Sequence, residues 1–220
     1  MNIPKRAVFI IAAVLFSCGV MAVVDAVISP HYILKSAVKI LLFLTLPLLF
    51  RPDLKPLFRG SKKGFALALG LALPLYGLIL GGYWALKDVF DFSNVTASLT
   101  GNIGVTRDNF VFVAIYISFV NSLLEEFFFR GFAYRESKKY FSPKWASVFS
   151  AGAFALYHIA MMGGWFSAGV FSITLVGLFV GGLIFNYLND RGGSIYPSWF
   201  LHMSANFAIN TIGFILFGIL

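Results

Sequence analysis

Residues 110–134 read F-V-F-V-A-I-Y-I-S-F-V-N-S-L-L-E-E-F-F-F-R-G-F-A-Y. At about 1.5 Å of rise per residue, a helix of this length crosses a hydrocarbon core about 30 Å thick. Yet it carries Glu125, Glu126 and Arg130. A charge at the bilayer centre costs about 2.5–3.5 kcal/mol on insertion scales, so such residues are rare in spans and usually functional. The rest of the chain has the same character. It is 220 residues long, 59% hydrophobic and 12% charged, against about 45–50% apolar and about 25% charged in soluble domains. That leaves too little polar surface to wrap a water-soluble globule. Disorder is excluded too, because disordered chains are poor in aromatics and this one is 18% aromatic, with 26 Phe. The expected fold class is an all-α polytopic membrane helical bundle.

About seven transmembrane helices are expected, over 6–28, 33–50, 64–86, 110–134, 144–162, 168–189 and 195–220. The third contains Pro74, an expected kink. The first resembles a signal peptide up to Cys18, but Phe16 is bulky for a cleavage site and the apolar run continues through Val27, so it reads as a span. With the N-terminus cytoplasmic, inside segments hold Lys5, Arg6, Arg51, Lys55, Arg59, Lys62, Lys63, Arg135, Lys138, Lys139, Lys144 and Arg191. Outside segments hold Lys35, Lys39, Lys87 and Arg107, a bias of about three to one. The net charge of +8 therefore marks positive-inside loops and not nucleic-acid binding. One cysteine, Cys18, permits no internal disulfide and no Cys-rich metal site. The stretch 87–109 is too short for a separate domain. Gly177-x-x-x-Gly181 is a close-packing motif, and Trp84, Trp145, Trp165 and Trp199 sit where interface anchors do. Asp25, Asn186 and Asn189 fall near helix ends and read as interfacial.

The ionisable groups inside the spans are Glu125, Glu126, Arg130, His158 and His202, with Asn206 one turn after His202. Glu126 and Arg130 are four apart and share a helix face, so they can pair. Glu125, rotated about 100° from Glu126, faces something else. Glu125 and His158 are each roughly 24 Å by helical rise from the turn near 141–143. Part of that length, 135–140, is polar and expected to protrude, which puts the two inside the membrane at matching heights. Taken singly, a His in a span is commonly a packing residue, a Glu–Arg pair a structural lock, and an Asn helix glue. Together, on three spans, they suggest a buried polar site for catalysis or transport, which Asn121 and Ser122 could line.

Glu125-Glu126-x-x-x-Arg130, Phe154-x-x-x-His158 and His202-x-x-x-Asn206, in that order on successive membrane segments, resemble the CPBP family of intramembrane proteases. That family includes the CAAX prenyl endopeptidases and the Abi-type bacteriocin-processing and immunity proteins. The resemblance covers about 110–207, so the chain divides into helices of no matched motif (1–109) and a CPBP-like core (110–220). It implies peptide-bond hydrolysis within or beside the bilayer. Glu125 would be the general base and His158 would help hold the water. His202 and Asn206 would stabilise the oxyanion, while Glu126 and Arg130 orient the site. A glutamate-dependent mechanism with no cofactor is expected. The alternative is zinc or another divalent metal on Glu125, His158 and His202, for which the H-E-x-x-H signature is missing. The implied partners are a peptide or protein substrate in or at the membrane and the lipid bilayer, and the compact loops suggest a prokaryotic plasma membrane. Two other readings are a non-catalytic scaffold or bacteriocin-immunity protein, and a proton-coupled transporter. The latter lacks the internal repeats and paired broken helices of transporters.

Overall fold

The computed structural model describes residues 4–60 and 62–220, and among them every regular element is helical. The helices are α1 (Lys5–Ile28), α2 (Tyr32–Leu49), α3 (Lys62–Leu86), α4 (Ser93–Ile103), α5 (Phe110–Ser137), α6 (Pro143–Met161), α7 (Ala168–Gly192) and α8 (Tyr196–Leu216), with a 3-10 turn at Lys55–Phe58. Six of them, all but α4 and α6, are long and apolar enough to cross a membrane. The expected seventh span, α6, has 19 residues and the length to cross, but Ala, Ser and Gly replace aliphatics along it. It packs against α1, α5 and α7, where small side chains let backbones approach. Pro74 sits inside an unbroken α3.

Successive spans run in opposite directions. At one end, Arg6 donates to the Phe50 carbonyl, the Ile195 N–H to the Leu57 carbonyl, and Tyr134 and Lys138 to the Asp190 carboxylate. At the other end, Phe110 packs on Phe214 and Phe217, and Phe92 on Phe166.

Three spans widen into π-helical turns: α1 at Val24–Ile28, α2 at Leu41–Thr45, and α5 at Tyr116–Asn121 and Glu126–Tyr134. A π turn takes carbonyls out of the i→i−4 ladder, and within a bilayer those carbonyls need other donors. Side chains from neighbouring helices supply them to α5. Asn210 donates to the Ala114 carbonyl, Asn206 to that of Ile117, and Ser150 to that of Phe129. Beneath these turns lies an aromatic core. Phe43 stacks on Phe128 at 4.1 Å between centroids, and Phe129 meets Phe154 edge-on at 5.3 Å.

Several expectations are corrected by packing. Lys35 and Lys39 are not free cations of the outer side; both are ion-paired on α2, and Lys39 is only 4% exposed. The Asp25 side chain is buried rather than interfacial, paired with Lys35 at 2.5 Å. Asn186 is buried between α6 and α7, donating to Ser147, and Asn189 is buried as well. The 135–140 stretch does not protrude whole, since Glu136 and Ser137 are buried. Next to the expected motif it is Gly182 that meets α6, since its added Cβ would lie 3.0 Å from Ala151, whereas one at Gly177 or Gly181 would meet nothing within 4 Å. Trp199 is more than an anchor, because its indole N–H donates to the Ser122 hydroxyl.

Candidate active site

The acidic pair arises at the junction of two kinds of turn in α5. Glu125 ends a short α-helical stretch and Glu126 opens the π-helical one, so the two side chains diverge into different surroundings.

Glu126 turns toward Arg130, 3.4 Å away, and toward His202 of α8, whose Nδ1–H donates to it at 2.9 Å. Both Glu126 and Arg130 are fully buried. The guanidinium carbon of Arg130 lies 4.3 Å from the Phe154 ring centroid and 4.8 Å from that of Phe185, a planar cation clasped by aromatic faces. The Phe185 ring in turn stacks on His202 at 5.2 Å. Thus the i,i+4 pair expected from spacing is present, and through it α5 fixes the imidazole of α8.

Glu125, 2% exposed, turns the other way. Its Oε2 lies 3.7 Å from Nε2 of His202. Its Oε1 accepts from Nζ of Lys39 at 2.5 Å and from the Asn121 amide at 3.0 Å, and Lys39 also donates to the Asn121 carbonyl oxygen at 2.6 Å. Lys39 was missed at the sequence level because a lone lysine near a helix start reads as an interface cation. The usable signal was its place seven residues inside α2, where snorkelling is the usual outcome. With Lys39 counted and the histidines neutral, the formal charges of the site balance: Lys39 and Arg130 against Glu125 and Glu126. That balance is what makes two carboxylates tolerable in an apolar bundle.

His158 of α6 donates from Nδ1 to the Phe154 carbonyl at 2.7 Å, so in the neutral ring Nε2 carries the lone pair. Its ring meets Phe154 edge-on at 4.7 Å between centroids, as the His202 ring does at 5.8 Å. Asn206 stands apart. Its amide goes to the Ile117 carbonyl, and among the described residues it makes no hydrogen bond to Glu125, Glu126, His158 or His202. Asn210, not singled out in the sequence, makes the matching bond one turn on, to Ala114 and Ser118.

Glu125, His158 and His202 are the residues that would hold a metal if one were bound. Among the described residues no three His, Cys, Asp or Glu side chains are placed to hold a metal ion. The Lys39 ammonium already lies against Glu125 and would repel a second cation there. The residues as arranged do not fit a metal.

The paired glutamates, the arginine and the two histidines stand on α5, α6 and α8 of a helical bundle whose spans suit a membrane, and this part of the chain is similar to CAAX-type endopeptidases. Residues 107–208, just under half of the chain, match the family model described as Type II CAAX prenyl endopeptidase Rce1-like. The match spans α5 through most of α8 and leaves Lys39 outside it. No curated protein and no solved structure matches the chain.

Proposed function

We propose that this protein is a glutamate-dependent endopeptidase cutting peptides in or beside the membrane. The supporting observation is the buried Glu125 carboxylate of α5, with Oε2 turned toward the His202 ring 3.7 Å away. Glu125 Oε2 takes a proton from water as the water oxygen bonds to the scissile carbonyl carbon, and the carbonyl π pair moves onto its oxygen. His202 stabilises that oxyanion from Nε2, because Nδ1 is committed to Glu126. Doing so requires a proton on Nε2. His158 accepts from the water at its own Nε2. When the C–N bond breaks, the proton held by Glu125 passes to the departing amine. Glu126 and Arg130 keep His202 in register. Asn206, whose amide has a second N–H beyond the one given to Ile117, completes the donor set in this reading. The 110–220 half carries the chemistry and the 1–109 half supports it.

The first probe is a farnesylated peptide ending in Cys-aliphatic-aliphatic-X, as the family's name suggests, presented to the purified protein in nanodiscs. Mass spectrometry should show release of the C-terminal tripeptide, and Glu125→Gln should slow it by about 10²–10⁴-fold without loss of protein. Chelation should leave the rate unchanged. Wild-type cleavage by Glu125→Gln, or loss on chelation reversed by zinc, would overturn the glutamate mechanism. If the wild type leaves this probe intact, comparing membrane peptides from a deletion strain and a Glu125→Gln strain identifies what is cut. Identical peptide sets in these strains and the wild type would reject the endopeptidase reading.

A further inference from the structure

We propose that Lys39 is a positioning residue of this same site, an inference that rests on the endopeptidase reading. Its place in the fold is unusual for a lysine in a span. Such a side chain ordinarily snorkels along its helix toward the headgroups, whereas Lys39 turns inward, between the rings of Tyr157 and Phe43 at 5.0 and 5.4 Å, to reach Glu125.

The contacts divide the two oxygens of Glu125. Oε1 is held by two donors, Nζ of Lys39 and Nδ2 of Asn121, and Lys39 ties back to Oδ1 of Asn121 to close a three-membered ring of contacts. Oε2 is the oxygen left facing His202. A carboxylate free to rotate about its last bond would present either oxygen; with Oε1 anchored, only Oε2 is offered to the reaction. Lys39 also supplies the counter-charge that Arg130 cannot, since Arg130 is paired with Glu126. The N-terminal helices, which lie outside the matched segment, thereby contribute a residue to the site through α2.

Four proteins test this: the wild type, Lys39→Met, Glu125→Gln and the double variant, in nanodiscs with the farnesylated peptide. Lys39→Met should lower kcat by about 10²-fold with KM within about threefold of wild type, because Lys39 acts on Glu125 and not on the peptide. It should also lower the melting temperature, and adding Glu125→Gln should raise it again, since a neutral amide needs no cation. Cleavage by Lys39→Met at or above the wild-type rate overturns the proposal; a faster rate would make Lys39 a plug to be displaced. A double variant melting no higher than Lys39→Met also overturns it. Should Lys39→Met fail to fold while the double variant folds, the coupling stands. If neither folds, Lys39 serves the bundle rather than Glu125 and the proposal falls. A wild type that cuts no peptide defeats the endopeptidase reading separately, while the melting cycle still reports on the Lys39–Glu125 pair.

Discussion

Arg130 is held by one carboxylate at 3.4 Å and by the faces of Phe154 and Phe185. Its role differs from that of a surface cation. Removing one member of a buried pair leaves the other charge uncompensated, at a cost of about 3–5 kcal/mol. Arg130→Met should therefore lower stability by about that amount in a thermal melt. Arg130→Lys keeps the charge but has no flat face for the rings, so it should fall between Met and wild type. An unchanged melt for Arg130→Met would show that Glu126 is satisfied by His202 alone. The Glu126–Arg130 pair was legible in the sequence because its geometry is local: four residues on one helix face. The Lys39–Glu125 pair was not, since 86 residues separate its members and no spacing rule links α2 to α5.

The helices were legible as elements because apolar length is a property of each segment alone. Their ends moved by a few residues, and α6 proved too rich in small residues to match the others in apolarity. The π turns of α5 were not legible, because they depend on donors from α6 and α8 meeting freed carbonyls. Glycine packing follows the same logic. Gly182→Ala places a Cβ 3.0 Å from Ala151 and 3.4 Å from Arg130 Nη2, while at Gly181 a Cβ meets nothing within 4 Å. Gly182→Ala should cost about 1–3 kcal/mol by overpacking, and Gly181→Ala should be neutral or stabilising. Equal melting temperatures for the two variants would contradict the α6–α7 contact.

For the whole molecule, pairing Lys35 with Asp25 and Lys39 with Glu125 sharpens the charge asymmetry, leaving Lys87 and Arg107 as the cations of the side expected to face outward. We propose the N-terminus-in orientation on that basis. In a Cys18→Ala background, a cysteine at exposed Asp88 should react with membrane-impermeant maleimide in intact cells. One at exposed Lys62 should react only after permeabilisation. The reverse pattern would invert the molecule. By itself, the sequence determined that this is a membrane helical bundle and that Glu125, Glu126, Arg130, His158, His202 and Asn206 were the residues to watch, because hydropathy and motif spacing are carried within single segments. Only the tertiary structure decided which of them touch: Glu125 with Lys39 and near His202, Glu126 with Arg130 and His202, and Asn206 on a backbone carbonyl instead. In a low-dielectric interior each buried charge must find its partner, and that partner is set by how the helices pack rather than by order along the chain.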